Sequence, residues 1–244
     1  MKIISFNIWG IYGPKLAERW EFASQKIAEL APDILCLQEG TDRSLLDNLA
    51  KTTGLTMQLS DPDETGLCLL SKTQAIKVKL IPYTFRSPVE NYTRKVIVAQ
   101  YEYNSIPFTI TNTHLSWKPE DDQTRSQQAQ ALHELIVAAD KPAIACGDFN
   151  CEYSSSPLTV LRDNHYGDSL VGQPDENKPS WDNVNPFIQS HHTKFPNRRV
   201  DLVLLRNHAN HQWKLESSRI VLNKPNHNGL YPSDHYGIEC IIDF

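Results

Sequence analysis

Lys2-Ile3-Ile4-Ser5-Phe6-Asn7-Ile8 opens the chain, and its reading together with residues 9–39 decides the fold. The run is apolar enough for a buried strand, closed by Trp9-Gly10 and the Gly13-Pro14 breaker. From Pro14 the period changes. Leu16, Trp20, Ala23, Ile27 and Leu30 share one face at helical spacing until Pro32-Asp33 stops the pattern. Ile34-Leu35-Cys36-Leu37 is then a second strand that delivers Gln38-Glu39. Strand, helix, strand in this order favours parallel pairing of the two strands.

Working outward, Arg43 to about Thr53 reads as a short helix built on Leu45, Leu46 and Leu49. Closely spaced strand-like segments come next at 55–60, 66–71, 75–81, 95–103 and 107–115, a spacing that suggests hairpins and antiparallel pairing. A second helix is expected over 123–139, with Ala129, Leu132, Leu135 and Ile136 as its buried stripe. Ala143–Cys146 is the strand after it, and 157–164 a short helix. Residues 167–199 are polar and rich in Pro, Asn and Asp, and read as one long loop carrying Trp181 and Phe187. Strands at 200–205 and 219–222 and the alternation Ile238, Cys240, Ile242, Phe244 close the chain. No linker or short repeat interrupts it, so one domain over 1–244 is expected.

A net charge of −5 argues against coating nucleic acid by bulk attraction, although it leaves room for a local basic groove. No apolar run reaches the length of a membrane span and no conventional signal peptide opens the sequence. A cytoplasmic monomer without stable membrane insertion is expected, with export through a removed leader left open. Cys36, Cys68 and Cys146 lie in apolar strand-like runs and read as buried small hydrophobes. Cys146 and Cys151 could bridge, but free thiols are the expectation.

The polar residues at strand ends carry the chemistry. Asn7, Glu39 and His114 each end an apolar run, and each alone could be a turn former or a structural residue. Asp148 and Asn150 flank Phe149 after Ala143-Ile144-Ala145-Cys146-Gly147. In an extended segment two such side chains project together. Asp201 opens a buried strand and needs a partner, for which His235 is the natural candidate, since a carboxylate on one ring nitrogen fixes the other toward a substrate. Asp234, next to it, is placed to reach a metal. These carboxylates and carboxamides form a hard oxygen set without a cysteine cluster, which suits Mg²⁺ or Mn²⁺ rather than Zn²⁺. A divalent ion beside a histidine and a carboxylate is what cutting a phosphate ester with water requires.

In this order, Phe6-Asn7-Ile8-Trp9, Leu37-Gln38-Glu39, Asn112-Thr113-His114-Leu115, Gly147-Asp148-Phe149-Asn150, Arg199-Val200-Asp201 and Ser233-Asp234-His235 resemble the endonuclease/exonuclease/phosphatase superfamily across the whole chain. The resemblance implies a four-layer α/β sandwich with two packed mixed β-sheets flanked by helices, the DNase I-like fold. It implies Glu39 as main metal ligand, with Asn7 and Asp234 close by. Asp148 would orient or deprotonate the attacking water and Asn150 hold the phosphate. Asp201 and His235 would stabilise developing charge, and His114 matches the second histidine of several branches.

The resemblance also weighs on the substrate. Asn150-Cys151-Glu152 and Pro179-Ser180-Trp181-Asp182 depart from the inositol phosphatase pattern, whereas Ser180-Trp181-Asp182 with Asn185 is similar to a stretch of the tyrosyl-DNA phosphodiesterases. That stretch reads equally as a loop in which Trp181 packs on the core. Lys194, Arg198, Arg199 and Arg206 could steer a phosphate-bearing substrate or be solvated and structural. Arg94 could help bind phosphate, and Arg125 is expected to pair with acidic neighbours at a surface. The expected activity is Mg²⁺-dependent hydrolysis of a phosphodiester, with nucleic acid favoured over lipid. A sphingomyelinase-like lipid phosphodiesterase and a non-catalytic binding module are the alternatives.

Overall fold

A computed structural model describes residues 1–209 and 211–244. Two six-stranded mixed sheets form the centre. The first runs β11-β12-β1-β2-β4-β3, made from Lys214–Val221, Gly237–Asp243, Lys2–Asn7, Ile34–Gln38, Leu67–Ser71 and Thr56–Asp61. The second runs β5-β6-β7-β8-β10-β9, made from Lys77–Pro82, Lys95–Tyr103, Ile106–His114, Ala143–Asp148, Asp201–Arg206 and Tyr166–Asp168. β1 pairs parallel with β2, and β7 with β8, as crossover helices allow. Every other pairing is antiparallel.

Alternation along the strands sorts side chains into layers. Ile3, Ile34, Cys36 and Leu69 meet Ile97, Ile110, Ile144, Cys146 and Val203 between the sheets. The intervening residues Ile4, Phe6, Leu35 and Leu37 turn outward onto Trp20, Ala23 and Ile27 of α1 (Leu16–Leu30) and onto Leu46 and Leu49 of α2 (Arg43–Thr53). On the far face, Ala143, Ala145, Leu202 and Leu204 pack on Leu132 and Ile136 of α3 (Asp122–Ala139) and on Leu161 of α4 (Thr159–Asp163). The result is the expected sandwich of helices, sheet, sheet and helices.

The same parity carries polar groups inward. Asn7 and Gln38 are register partners at the carboxyl ends of β1 and β2, and His114, Asp148 and Asp201 line up across β7, β8 and β10. Just below, the Gln38 carboxamide donates to Asn112 Oδ1 at 2.7 Å. Asn112 in turn donates to the carbonyls of Leu37 and Cys68 at 2.8 and 2.9 Å. This buried clasp ties one sheet to the other beneath the strand ends, and its groups are largely satisfied as such networks must be.

The strand expected at 219–222 begins earlier, at Lys214. Its first half alternates exposed and half-buried residues on a sheet edge and so lacks an apolar run. The expected long loop overlaps the short strand β9, which pairs with β10 through backbone bonds that its short sequence does not advertise. All five cysteines are buried free thiols. Among the described residues, no helix is long and apolar enough to cross a membrane.

Candidate active site

The strand ends open into a cleft of about 440 Å³ whose lining includes Glu39, His114, Asp148, Asn150, Asp234 and His235. Asn7 joins its two sides, donating from Nδ2 to Glu39 Oε1 at 3.0 Å and to Asp148 Oδ2 at 3.1 Å, while its Oδ1 accepts from the Trp9 amide. Asp201 Oδ2 lies 2.8 Å from His235 Nδ1, and the other ring nitrogen of His235 lies 3.8 Å from Asp148 Oδ2. His114 Nε2 approaches the same oxygen to 3.4 Å. The sequence-expected pair of Asp201 and His235 is thus in contact; six of the eight expected site residues line one cleft, and Asn7 and Asp201 bond to those that do.

Three of the turns that present these groups are left-handed at non-glycine residues: Trp9 (φ 54°), Glu39 (φ 56°) and Asn150 (φ 53°). Each costs on the order of 1–3 kcal/mol and persists only where the surroundings enforce it. Part of that enforcement is close packing at glycines. A Cβ on Gly66 would fall 2.7 Å from the Glu39 Cα, and one on Gly147 would fall 2.1 Å from the Thr113 carbonyl.

The conformation at Asn150 corrects one expectation. The segment is not extended there, because the Asn150 amide closes a turn onto Asp148 Oδ1 at 2.9 Å. The carboxamide donates to the Leu115 carbonyl at 2.9 Å instead of projecting alongside the carboxylate.

The electrostatics divide the histidines. Burial works against a charged His235, but Asp201, Asp148 and Asp234 outweigh it and hold its pKa well above the ordinary value. Burial and then the Arg94 charge push His114 down to about 3, so its ring is neutral at pH 7. Asp148 is disfavoured by burial, yet the two rings and the Asn7 amide bring it below the usual carboxylate range. Glu39 goes the other way, pushed up to about 7 by burial and then by the charge of Asp234, with the Asn7 bond opposing.

A half-buried carboxylate raised by loss of water and then by its neighbours' negative charge is the donor that a cation relieves. Asp148, Asp201 and His235 also each offer a ligand atom, all within 4.8 Å of one another, so this buried group could hold a metal ion. Asp201 and His235, however, already bond each other at 2.8 Å. Among the described residues, the Glu39 carboxylate accepts a hydrogen bond from Asn7 alone, which leaves it the free lone pairs.

Several residues take places the sequence left open. Trp181 is only 7% exposed, packs with Ile188 and Val200, and sets its ring edge-on to His235 at 5.0 Å. It is a wall of the cleft and not a free platform. Arg199 is structural, bonded to Asp168 at 2.6 Å. Arg125 does pair with Asp122 but is buried, spanning the carbonyls of Ser116, Lys118 and Pro119, so its surface placement is corrected. Arg94 lies buried at the cleft on Glu90, which also accepts from Ser116 Oγ and the Trp117 amide.

Two contributors were missed. His191 Nε2 lies 2.8 Å from Asp234 Oδ2, and its ring sits between Trp9 and Trp181 at 5.5 and 5.0 Å. Arg19, on α1, is fully buried and donates to the carbonyls of Ile8, Trp9, Gly10, Pro14 and Pro232. Its one sequence signal is a position beside Trp20 on the buried face.

A two-sheet sandwich flanked by helices, with a carboxylate–histidine cleft at its edge, is DNase I-like architecture, and the buried Asp-Asp-His group could hold a metal ion. The model of the Endonuclease/Exonuclease/phosphatase family matches residues 4–235, and the chain belongs to that family, whose members are hydrolases acting on phosphoric esters. It is similar to tyrosyl-DNA phosphodiesterase 2 of Xenopus laevis, with 22% identity over 98% of this chain, and of Mus musculus, with 23% identity over 100%. The chain spans 66% of the length of each of these relatives. Among solved structures, D. rerio TDP2 complexed with single-strand DNA product superposes at a TM-score of 0.85 and 20% identity, covering 100% of this chain and 99% of that one. A mannosyl-6-phosphatase of Bacteroides thetaiotaomicron superposes at 0.80 and 14% identity, covering 100% of both. At these identities the superpositions establish the fold.

Proposed function

We propose that this chain hydrolyses phosphodiesters of nucleic acid with the help of a hard divalent cation, Mg²⁺ or Mn²⁺. The observation that carries the reading is the connected line on the cleft floor, in which Asp201 holds His235, His235 faces Asp148, and Asn7 ties Asp148 to Glu39. A binding module would have no need to bury His114, Asp148, Asp201, Asp234 and His235 together at such cost. The choice of nucleic acid is supported by the similarity to tyrosyl-DNA phosphodiesterases.

Glu39 would be the chief ligand of the ion, with Asn7 and Asp234 beside it, because its raised, nearly unbonded carboxylate has the most to gain. The bound ion would supply a Lewis acid for a phosphoryl oxygen. Asp148, ionised and held by Asn7 and the Asn150 amide, orients and deprotonates the attacking water. His235, protonated and fixed by Asp201, meets the negative charge that grows on the phosphoryl oxygens. His114 donates to the phosphate as a neutral imidazole. Asn150 keeps the Asp148 turn in place and borders the phosphate. Positioning and electrostatics carry such a reaction, since phosphoryl transfer leaves little covalent work to the protein.

A lipid phosphodiester is a second reading, favoured by the exposed Ile11, Tyr12, Val89 and Tyr92, two of which line the cleft. The test is turnover of purified protein with Mg²⁺ on single-stranded DNA, duplex DNA, RNA, liposomal sphingomyelin and a phosphoinositide. An oligonucleotide is expected to be cleaved fastest, with rates that fall steeply as salt rises. Faster hydrolysis of sphingomyelin than of every oligonucleotide would overturn the substrate assignment.

A further inference from the structure

Arg198 stands apart from the other arginines near the cleft. Arg94, Arg125 and Arg199 each hold a carboxylate. Among the described residues, the Arg198 guanidinium has neither an ion-pair partner nor a hydrogen bond, and its Nε is buried without a partner. Two aromatic rings hold it instead: Phe195, with the guanidinium carbon 3.7 Å from the ring centre, and Trp181 at 6.0 Å. Burial lowers its pKa, and the more distant charges of Asp148 and Glu152 offset that loss of water only in part. A half-buried planar cation with open donors is matched by an anion that accepts a fork of hydrogen bonds, and phosphate is one.

Its backbone fixes where that anion would sit. Residues 181 and 198 form an antiparallel bridge, with amide-to-carbonyl bonds of 3.0 and 3.1 Å, and Trp181 bridges in turn to His235. One tryptophan therefore separates Arg198 from the histidine at the centre of the cleft. Arg198 also borders a neighbouring cavity of about 400 Å³, beyond Asn197 and Arg199, so a substrate longer than one unit has room to continue past it.

We propose that Arg198 is a second phosphate-binding residue of the cleft. It holds the phosphate next to the one under attack, and so selects substrates with two or more linked phosphates over single-phosphate diesters. The assignment rests on the nucleic-acid reading and names the part of the substrate that Arg198 recognises.

The test compares wild type with R198Q and R198K on a 5′-phosphorylated thymidine dinucleotide and on bis(p-nitrophenyl) phosphate, with thermal melts to confirm folding. R198Q is expected to lower kcat/KM on the dinucleotide by at least about tenfold more than on the single-phosphate diester, chiefly through KM. The slope of log affinity against log salt for a phosphorothioate oligonucleotide should become shallower by about one. R198K, which keeps the charge but not the fork, should fall between the two, and it carries the test should R198Q not fold. Equal losses on both substrates, or an unchanged salt slope, would overturn the Arg198 assignment and leave the nucleic-acid reading standing. A wild-type enzyme that cleaves only the single-phosphate diester would overturn both.

Discussion

Replacing Gly147 by alanine should damage the fold and the site together. Gly147 has φ 150°, and a Cβ there would lie 2.1 Å from the Thr113 carbonyl oxygen and 2.9 Å from its carbon. Non-bonded heavy atoms are comfortable at roughly 3.5 Å, so β7 and β8 would have to part by more than about 1 Å. The offending atoms are backbone and cannot swing aside. Overpacking typically costs about 1–3 kcal/mol and the strained backbone a further ~1–3, so a loss of about 2–6 kcal/mol is expected. For a chain of this size that lowers Tm by roughly 4–24 °C.

The register pairs Thr113 with Gly147 and His114 with Asp148, so the displacement passes directly to the 3.4 Å approach between those side chains. A misplacement of about 1 Å can cost on the order of a hundredfold in rate. Thermal and urea unfolding, with turnover measured well below the melting range, would check both effects. A variant that melts within about 2 °C of wild type, equivalent to under 1 kcal/mol, would mean that β7 and β8 accommodate the methyl group without parting.

Three further outcomes rest on individual contacts. Glu90→Gln should destabilise by about 3–5 kcal/mol, because it leaves the Arg94 guanidinium buried without its counter-charge. Burial raises the Glu90 pKa, but Arg94 and the two other donors outweigh it and the net value lies below the ordinary one. This stabilisation is therefore fully present above about pH 4.3 and fades as pH falls through the lower folded pKa, and acid titration of both proteins should show the gap closing. Asp201→Asn should cut kcat by about 10²–10⁴ with the fold intact by circular dichroism, as removal of the group that orients an imidazole does elsewhere. Near-normal turnover would exclude that role. Trp181→Ala should lower stability by about 3–5 kcal/mol as a truncated buried aromatic, and a raised KM without loss of Tm would instead make it an exposed stacking surface.

What the sequence revealed and what it hid divide on physical grounds. Strand and helix order was legible because Ile3, Ile4 and Phe6 against Leu16, Trp20, Ala23 and Ile27 switch period within a few residues. The site was legible because its polar residues end apolar runs, where strand parity delivers Asn7, Asp148 and Asp201 to one end of the seam between the sheets. The hidden part depends on contacts distant in the chain. Arg19 is buried through carbonyls from both ends of the molecule, and Glu90 reaches Ser116 and Trp117 from a loop without periodicity. His191 comes to Asp234 across 43 positions, out of a polar stretch that looks solvated. The left-handed turn at Asn150 could not be read from the spacing of Asp148 and Asn150, since that spacing assumes an extended chain.

We have proposed that the carboxylate cluster around Glu39 uses a hard divalent ion to open a nucleic-acid phosphodiester. The most direct test is the rate of cleavage of a single-stranded oligonucleotide by wild type and Glu39→Gln as Mg²⁺ is titrated in after removal of metal with EDTA. No turnover is expected in EDTA, with recovery on adding Mg²⁺ or Mn²⁺. Glu39→Gln should need more Mg²⁺ and run at least about a hundredfold slower. Full activity in EDTA, or a Glu39→Gln enzyme with the wild-type Mg²⁺ dependence, would contradict the claim.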